Sequence, residues 1–420
     1  MNKVFQKTIA LVLALLTFHA SSTTAALAAG EKNVKNLPIG SLEGYDTGAT
    51  WFGEDFAYDI TDEAACWELL QKPITVLDVS EKEVVYPLVE PEGKKVVNEW
   101  MGGTINGSLA AVHVLGEDEN GWTLIEGLDY YNRVIRGYVK TRLLKTATPN
   151  EKYGIIVDKL TQRLYVFING KLWSSCAVST GLVAEKQPYN ETAAGEYLIG
   201  SWVGGFDSEG MFCEKGIRFN GGDLLHQVPY ILLADGSKRF TKFESLLGQK
   251  ASHGCIRVAR MPNEEGLDID WLWDNLKKGT KVLVWDDGGR ILPYPDDNLA
   301  LYYNPDNGSF YHSSDSCPSV KAKYLPLKGF KYSELDSGSY ADLEPCASCS
   351  PVKRKSVIDE MNAQRGLVKA AQADAAAEAA AEAEDTAAAA ATQAPKATDV
   401  PSDTKTESSN GVVITIKDGN

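Results

Sequence analysis

The chain has 420 residues, 44% of them hydrophobic and 24% charged, a balance that suits a soluble globular protein of two or three domains. Its net charge of −15 speaks against a nucleic-acid or anionic-membrane partner, because both need clustered Lys and Arg. Seven cysteines are an odd number, so pairing within the chain leaves at least one thiol free.

At the N-terminus Lys3 and Lys7 precede an apolar run from Ile9 to Phe18, and Ala26-Leu27-Ala28 offers small residues for cleavage. The pattern predicts a secretory signal over residues 1–29, cut after Ala28 or Ala29. Its apolar run of about ten residues is half of what a bilayer span requires. The mature chain is therefore expected to be secreted, extracytoplasmic or in the cell wall, with no membrane span; an uncleaved signal serving as an anchor is the alternative. Residues 30–71 read as a linker or N-terminal extension.

From residue 72 to 148, short strands alternate with turn signals: Ile74–Val79, Val84–Val89, Ala110–Leu115, Trp122–Ile125 and Val134–Leu144. That spacing predicts a small β-barrel or sandwich. Gly121-Trp122-Thr123-Leu124-Ile125 followed by Arg136-Gly137-Tyr138-Val139 resembles the end of bacterial SH3-like domains, which implies wall binding or a spacer role. His113 falls in an alternating strand, where a packed or surface histidine is expected.

Thr148-Pro149-Asn150 marks a boundary. Beyond it Ile155–Asp158, Gln162–Phe167 and Leu172–Ser179 predict a β-meander, with Asn169-Gly170 as a two-residue hairpin turn. Strands are expected again at Glu196–Trp202 and Lys281–Trp285, and one helix at Ile269–Lys278, stopped by Gly279. Residues 152–286 thus form a mostly β domain.

Within it Ser252-His253-Gly254-Cys255-Ile256-Arg257-Val258 sets a thiol behind a glycine and beside cationic-capable side chains. A thiol attacks as thiolate, and a neighbouring imidazole or guanidinium is expected to lower its pKa. Glycine lets backbone N–H groups approach a developing oxyanion. The general base must be close in space; in this domain the candidates are His226 and His253. A buried, inert cysteine is the alternative from the neighbourhood alone.

The block Ser252-His253-Gly254-Cys255-Ile256-Arg257 with upstream His226 resembles the YkuD-type L,D-transpeptidase catalytic domain. The likeness extends over roughly residues 152–286, through Asp158–Val166, Ser179-Thr180-Gly181 and Thr192–Tyr197. It implies that His226 takes the proton from Cys255 and that the thiolate attacks the third-residue carbonyl of a peptidoglycan stem tetrapeptide. D-alanine then leaves a thioacyl-enzyme, and a neighbouring stem amine resolves it. Gly254, Cys255 and His253 would supply oxyanion donors; Arg257 would bind a substrate carboxylate or hold the loop through a salt bridge; Ser252 and His253 would orient the loop by hydrogen bonds, with a second base as the alternative, and Ser252 would also touch substrate. No catalytic cofactor is implied. Three departures stand out. Gln227 follows the histidine where Gly or Ser is usual, Ala193 replaces a common Pro, and the interval from His226 to Cys255 is long. The extra segment, about Ala234 to Gln249, is expected to form a lid.

A third unit spans residues 301–352. Asp306-Asn307-Gly308 predicts a hairpin turn between Tyr302–Asn304 and Phe310–His312. His312, Cys317, Cys346 and Cys349 have the spacing of a structural Cys3His zinc site, with disulfides as the alternative that export favours. Cys66, Cys176 and Cys213 carry no motif and are expected in the core or in a disulfide. From residue 356 to about 394 an Ala/Glu-rich helix is expected, then a disordered tail rich in Thr, Ser, Pro and Asp. The sum is a mainly β protein: an SH3-like β-barrel, a YkuD-type β-sandwich, a zinc-ribbon-like module and a low-complexity Ala-rich, disordered tail. A hydrolase using the same Cys-His pair and a non-catalytic wall-binding protein are the competing functions.

Overall fold

The computed structural model describes residues 42–43, 56–80, 83–98, 102–106, 110–118, 120–183, 190–208 and 210–363. The expected signal segment and most of the expected tail lie outside the described residues; the chain is helical over residues 355–363. Among the described residues the protein is mainly β.

The N-terminal strands are β1 (Leu42–Glu43), β2 (Ile74–Leu77), β3 (Val84–Val85), β4 (Ile105–Asn106), β5 (Ala111–Asp118), β6 (Trp122–Leu128), β7 (Val134–Lys140) and β8 (Leu144–Ala147). Six of them form one sheet in the order β1-β7-β6-β5-β2-β8, while β3 pairs with β4. Apolar side chains of alternate positions, Val112, Ile125, Ile135 and Val139 among them, meet Leu77, Val85 and Ile105 in a separate core. The expected long strand Val134–Leu144 is broken by a 3-10 turn at Thr141–Leu143. His113 is a partly exposed strand residue, 3.8 Å from Glu126.

The following strands are β9 (Tyr153–Asp158), β10 (Arg163–Ile168), β11 (Lys171–Ser179), β12 (Gly195–Leu198), β13 (Trp202–Ser208), β14 (Met211–Asn220) and β15 (Asp223–Gln227). A small hairpin comprises β16 (Ile231–Leu232) and β17 (Lys238–Arg239), and β18 (Ile256–Val258) and β19 (Lys281–Trp285) complete the domain. Nine of these run in the order β12-β19-β9-β10-β11-β18-β15-β14-β13. The sheet folds back on itself: β12 stands at one edge and β14 near the other, yet the Tyr197 and Phe219 rings meet edge-on at 5.4 Å. Side chains from both halves fill one core. The expected strand Glu196–Trp202 is divided at this fold, because the Ile199 N–H turns to Thr280 O and the Gly200 N–H to Arg218 O. The Asn169-Gly170 turn forms as expected, both residues at positive φ, between β10 and β11.

β9 and β19 pair in parallel and are buried at every position, which explains their unbroken apolar sequence. Their outer face is covered by a helix that the linker reading of residues 30–71 did not anticipate. This is α1 (Glu63–Gln71), capped by Asp62, whose carboxylate accepts from Ala65 N. Its Cys66 and Leu70 pack on Ile156, Phe167, Leu283 and Trp285. Fully buried Lys281 donates to Leu69 O and Lys72 O at 2.7 and 2.8 Å and pairs with Glu196 at 2.9 Å, so a cation closes the helix C-terminus.

The long interval before the Cys255 motif contains the β16–β17 hairpin and α2 (Thr241–Glu244). It is tied to the sheet: Gly248 N donates to Val178 O at 2.8 Å, Ser179 Oγ to Leu246 O at 2.6 Å, and Arg260 pairs with Glu244 at 2.7 Å. The expected helix at Ile269–Lys278 is α3 (Ile269–Asn275), with Asp268 accepting from Trp271 N. The C-terminal module is a sheet in the order β22-β20-β21-β23, comprising β20 (Ala300–Tyr303), β21 (Phe310–His312), β22 (Lys328–Lys331) and β23 (Glu344–Pro345). Asn307 takes the positive φ that its hairpin turn requires.

Candidate active site

Strands β15 and β18 run parallel, with Leu225 opposite Ile256 and His226 opposite Arg257. Side chains alternate along a strand. Leu225 and Ile256 enter the core, so the opposite face carries His226, Arg257 and, just before the strand, Cys255. A β-branched and aliphatic sequence on the inner face thus holds three reactive groups on the outer one.

His226 is buried, and its Nδ1 lies 2.6 Å from Gln227 O. A carbonyl only accepts, so Nδ1 carries the proton and Nε2 keeps the lone pair. That contact uses the backbone, which is why Gln227 in place of the usual small residue leaves it intact. Burial holds the imidazole neutral, its pKa pushed down to about 4, with the Arg257 charge adding to the effect. The Phe206 ring meets the imidazole edge-on at 5.3 Å.

The expectation of a lowered thiol pKa is reversed. Burial pushes Cys255 up to about 12 and the Asp223 carboxylate adds to it, while Arg257 and hydrogen bonding from the Leu224 backbone offset only a part. At neutral pH the resting pair is therefore thiol and imidazole, not thiolate and imidazolium. Arg257 is itself buried, with its guanidinium 5.5 Å over the Phe243 ring of α2. Among the described residues it has no carboxylate partner, so the salt-bridge reading of Arg257 is not what holds the loop.

Hydrogen bonds do that. Ser252 N donates to Thr180 O and Ser252 O accepts from Leu182 N, both at 3.0 Å. Ser252 Oγ donates to Cys255 O. Its buried hydroxyl thus ties the two ends of the loop together. Thr192 Oγ1 donates to Gly254 O at 2.5 Å and accepts from Gly181 N at 2.8 Å. Gly254 sits at φ +117, a conformation open to glycine alone. His253 is exposed, whereas His226 is buried and Cys255 half-buried.

Residues 152–284 match the family model for the L,D-transpeptidase catalytic domain, YkuD. This stretch is a YkuD-type L,D-transpeptidase catalytic domain. The chain is similar to YciB of Bacillus subtilis (strain 168), provisionally named an L,D-transpeptidase, with 30% identity over 140 residues, 31% of this chain and 64% of YciB. A fused Zn-dependent amidase/peptidase and peptidoglycan-binding protein from Clostridium acetobutylicum ATCC 824 is 25% identical, with a TM-score of 0.23, over 32% of this chain and 52% of that one. An L,D-transpeptidase from Mycobacterium tuberculosis H37Rv is 15% identical, with a TM-score of 0.25, over 55% of this chain and 86% of that one. The chain thus spans less than two thirds of YciB and of the Clostridium protein.

The transpeptidase domain also contains groups that sequence reasoning passed over. Asp223 belongs to no motif, yet its carboxylate is buried against Gly254: a Cβ there would stand 2.7 Å from Asp223 Oδ1. Burial pushes this carboxyl up to about 7 against the pull of Asn132, Asn220 and Arg218. An aspartate opening a strand ahead of Leu224, Leu225 and His226 was the available signal. Thr192 was noted only as part of a matching segment, with no hint of its bond to Gly254.

In the C-terminal module His312, Cys317, Cys346 and Cys349 bring their ligand atoms within 4.8 Å of one another. Cys317 Sγ and Cys346 Sγ are 3.9 Å apart, and all seven cysteines are free thiols. Tetrahedral zinc with Zn–S bonds of about 2.3 Å sets sulfurs about 3.8 Å apart. Three sulfurs and one imidazole at this spacing fit zinc, whereas bonded sulfurs lie about 2.05 Å apart.

Proposed function

We propose that the chain is an exported L,D-transpeptidase that forms a thioacyl-enzyme on Cys255 from a peptidoglycan stem tetrapeptide and passes the acyl group to an amine of a neighbouring stem. The family match supports a peptidoglycan acyltransferase. The observation that carries the residue assignment is the Nδ1 contact of His226 with Gln227 O, which leaves Nε2 free on the face that Cys255 shares.

In the first half-reaction Nε2 takes the S–H proton as sulfur attacks the third-residue carbonyl. N–H groups of the Gly254–Cys255 backbone receive the oxyanion. The C–N bond to D-alanine then breaks, with the imidazolium returning its proton to the leaving amine. In the second, His226 takes a proton from the acceptor amine, a C–N bond forms, and Cys255 leaves as the restored thiol. Unpaired Arg257 beside the thiol is suited to a substrate carboxylate. Export follows from the N-terminal signal pattern, and the six-stranded N-terminal sheet is suited to an SH3-like wall-directed role. Zinc held by His312, Cys317, Cys346 and Cys349 serves folding rather than catalysis, since four protein ligands leave no open position.

The test is incubation of the protein lacking residues 1–29 with disaccharide-tetrapeptide, followed by mass spectrometry. A cross-linked dimer with loss of one D-alanine is expected, and neither Cys255→Ala nor His226→Ala should give the acyl-enzyme. Tripeptide as the sole product would replace amine transfer by hydrolysis, and an absence of acyl-enzyme on the unsubstituted protein would overturn the proposal.

A further inference from the structure

The hairpin joining β6 and β7 leaves its own domain. Leu128 and Val134, the residues at its base, are buried in the core of the transpeptidase domain rather than in that of the N-terminal sheet. Between them the turn is fixed by Asp129, which accepts from Tyr131 N at 2.9 Å, Arg133 N at 3.0 Å and Gly103 N at 3.1 Å, and pairs with Arg133 at 2.8 Å. Asn132 takes φ +59 at its tip, in the left-handed region that Asn tolerates better than most residues.

From that tip the Asn132 amide reaches two walls of the nucleophile loop. Nδ2 donates to Glu191 O and to Asp223 Oδ2, each at 3.1 Å, and Oδ1 accepts from Asn220 Nδ2 at 3.4 Å. Glu191 immediately precedes Thr192, which holds Gly254 O. Asp223 Oδ1 lies 2.7 Å from where a Cβ on Gly254 would stand. One side chain of a separate domain therefore joins both supports of the glycine next to Cys255.

We propose that Asn132 is a positioning residue of the catalytic centre: through Asp223 and the Glu191–Thr192 segment it fixes the Gly254–Cys255 backbone, making the N-terminal domain a working part of the site. The inference rests on Cys255 being the nucleophile. Besides geometry, Asn132 acts on charge, since its hydrogen bond favours the ionised form of Asp223, and that ion in turn disfavours the Cys255 thiolate. Facing Asp223 are Arg218 of β14, Glu191, Tyr197 of β12 and Cys255 itself; of these Asn132 bonds only Glu191, and at its backbone oxygen rather than its carboxylate.

Asn132→Gly keeps the backbone conformation and deletes the amide. Two rates test it: acyl-enzyme formation from the tetrapeptide, and alkylation of Cys255 by iodoacetamide between pH 6 and 9, read by peptide mass spectrometry. Acylation is expected to fall about 10- to 100-fold, as for a misplaced reacting group. Alkylation at pH 7–8 is expected to rise, because Asp223 now stays protonated to higher pH, and Asp223→Asn should raise it likewise. Cys176 and Cys213, both buried, should remain unlabelled, which separates this effect from unfolding. Acylation within twofold of the unsubstituted protein, or superimposable alkylation profiles, would overturn the proposal. Should the unsubstituted protein form no acyl-enzyme, the functional reading fails, while the alkylation profiles still decide whether Asn132 governs the thiol.

Discussion

His226 and Cys255 are shifted in opposite directions by the same cause. Burial disfavours whichever form is charged, so the imidazole loses its proton more readily and the thiol holds its own more firmly. Their residue types and the motif around Cys255 were legible in the sequence; the sign of the thiol shift was not, since it depends on how deeply the loop packs and on Asp223, brought next to Gly254 by strand pairing. The pH dependence follows. His226 serves as base only when neutral, and that form persists as pH falls until about 4. The same depressed value means that native stability drops as pH falls from the ordinary histidine value of 6.5 towards 4, where the unfolded chain binds the proton and the native one does not. Acyl-enzyme formation measured from pH 4 to 8 should therefore retain its base at pH 5.5. A half-loss of acylation centred on 6.5, in protein still folded by circular dichroism, would contradict a buried base.

Elements decide how closely the loops around the site approach one another. Gly181 follows β11, and a Cβ on it would lie 1.7 Å from Asn190 O and 2.7 Å from Thr192 N. Both are backbone atoms, so no side-chain rotation relieves the overlap; the segment carrying Thr192 must move, and with it the bond to Gly254 O. Gly181→Ala is expected to cost about 1–3 kcal/mol or more of stability and to lower acylation more steeply than the fall in folded protein explains. Thermal melts beside single-turnover acylation would show it, and an unchanged acylation rate would remove Thr192 from the loop's support. The Ser179-Thr180-Gly181 segment was marked by the family resemblance alone, whereas β9, β10, β11 and β19 were recognisable in the sequence because period and turn residues are local signals. α1 was not. Only two of its side chains, Cys66 and Leu70, are buried, too few to mark an amphipathic pattern, and its C-terminus is completed by Lys281, 209 residues away from Lys72. The division of Glu196–Trp202 was hidden for the same reason: the chain crosses between layers to meet Thr280 and Arg218, partners that no local pattern reveals.

At the scale of the whole molecule, small modules lean on the transpeptidase domain from both sides in sequence. The C-terminal one touches it through Arg163 Nη1 to Ser350 O at 2.9 Å and Ser348 Oγ to Pro262 O at 3.1 Å. Both seryl positions lie next to Cys349, so the metal cluster and the docking contacts share one turn of chain. The module's own apolar core consists of few residues, Leu301, Tyr311, Phe330, Tyr332, Leu335 and Leu343, and a core so small rarely sustains a fold without a metal or cross-link. Zinc bound only by the folded arrangement adds its binding free energy to folding. The purified protein should accordingly carry one zinc per chain by elemental analysis. A strong chelator should make residues 301–352 susceptible to protease while Cys255 still acylates, since the catalytic residues lie outside the cluster. Cys346→Ser should reproduce the chelator's effect in the absence of chelator. Metal-free protein with intact resistance, together with loss of two thiols in a thiol titration, would assign the cluster to a disulfide. Coupled loss of zinc and acylation would instead mean that the turn at Cys349, through Ser348 and Ser350, supports the catalytic sheet itself.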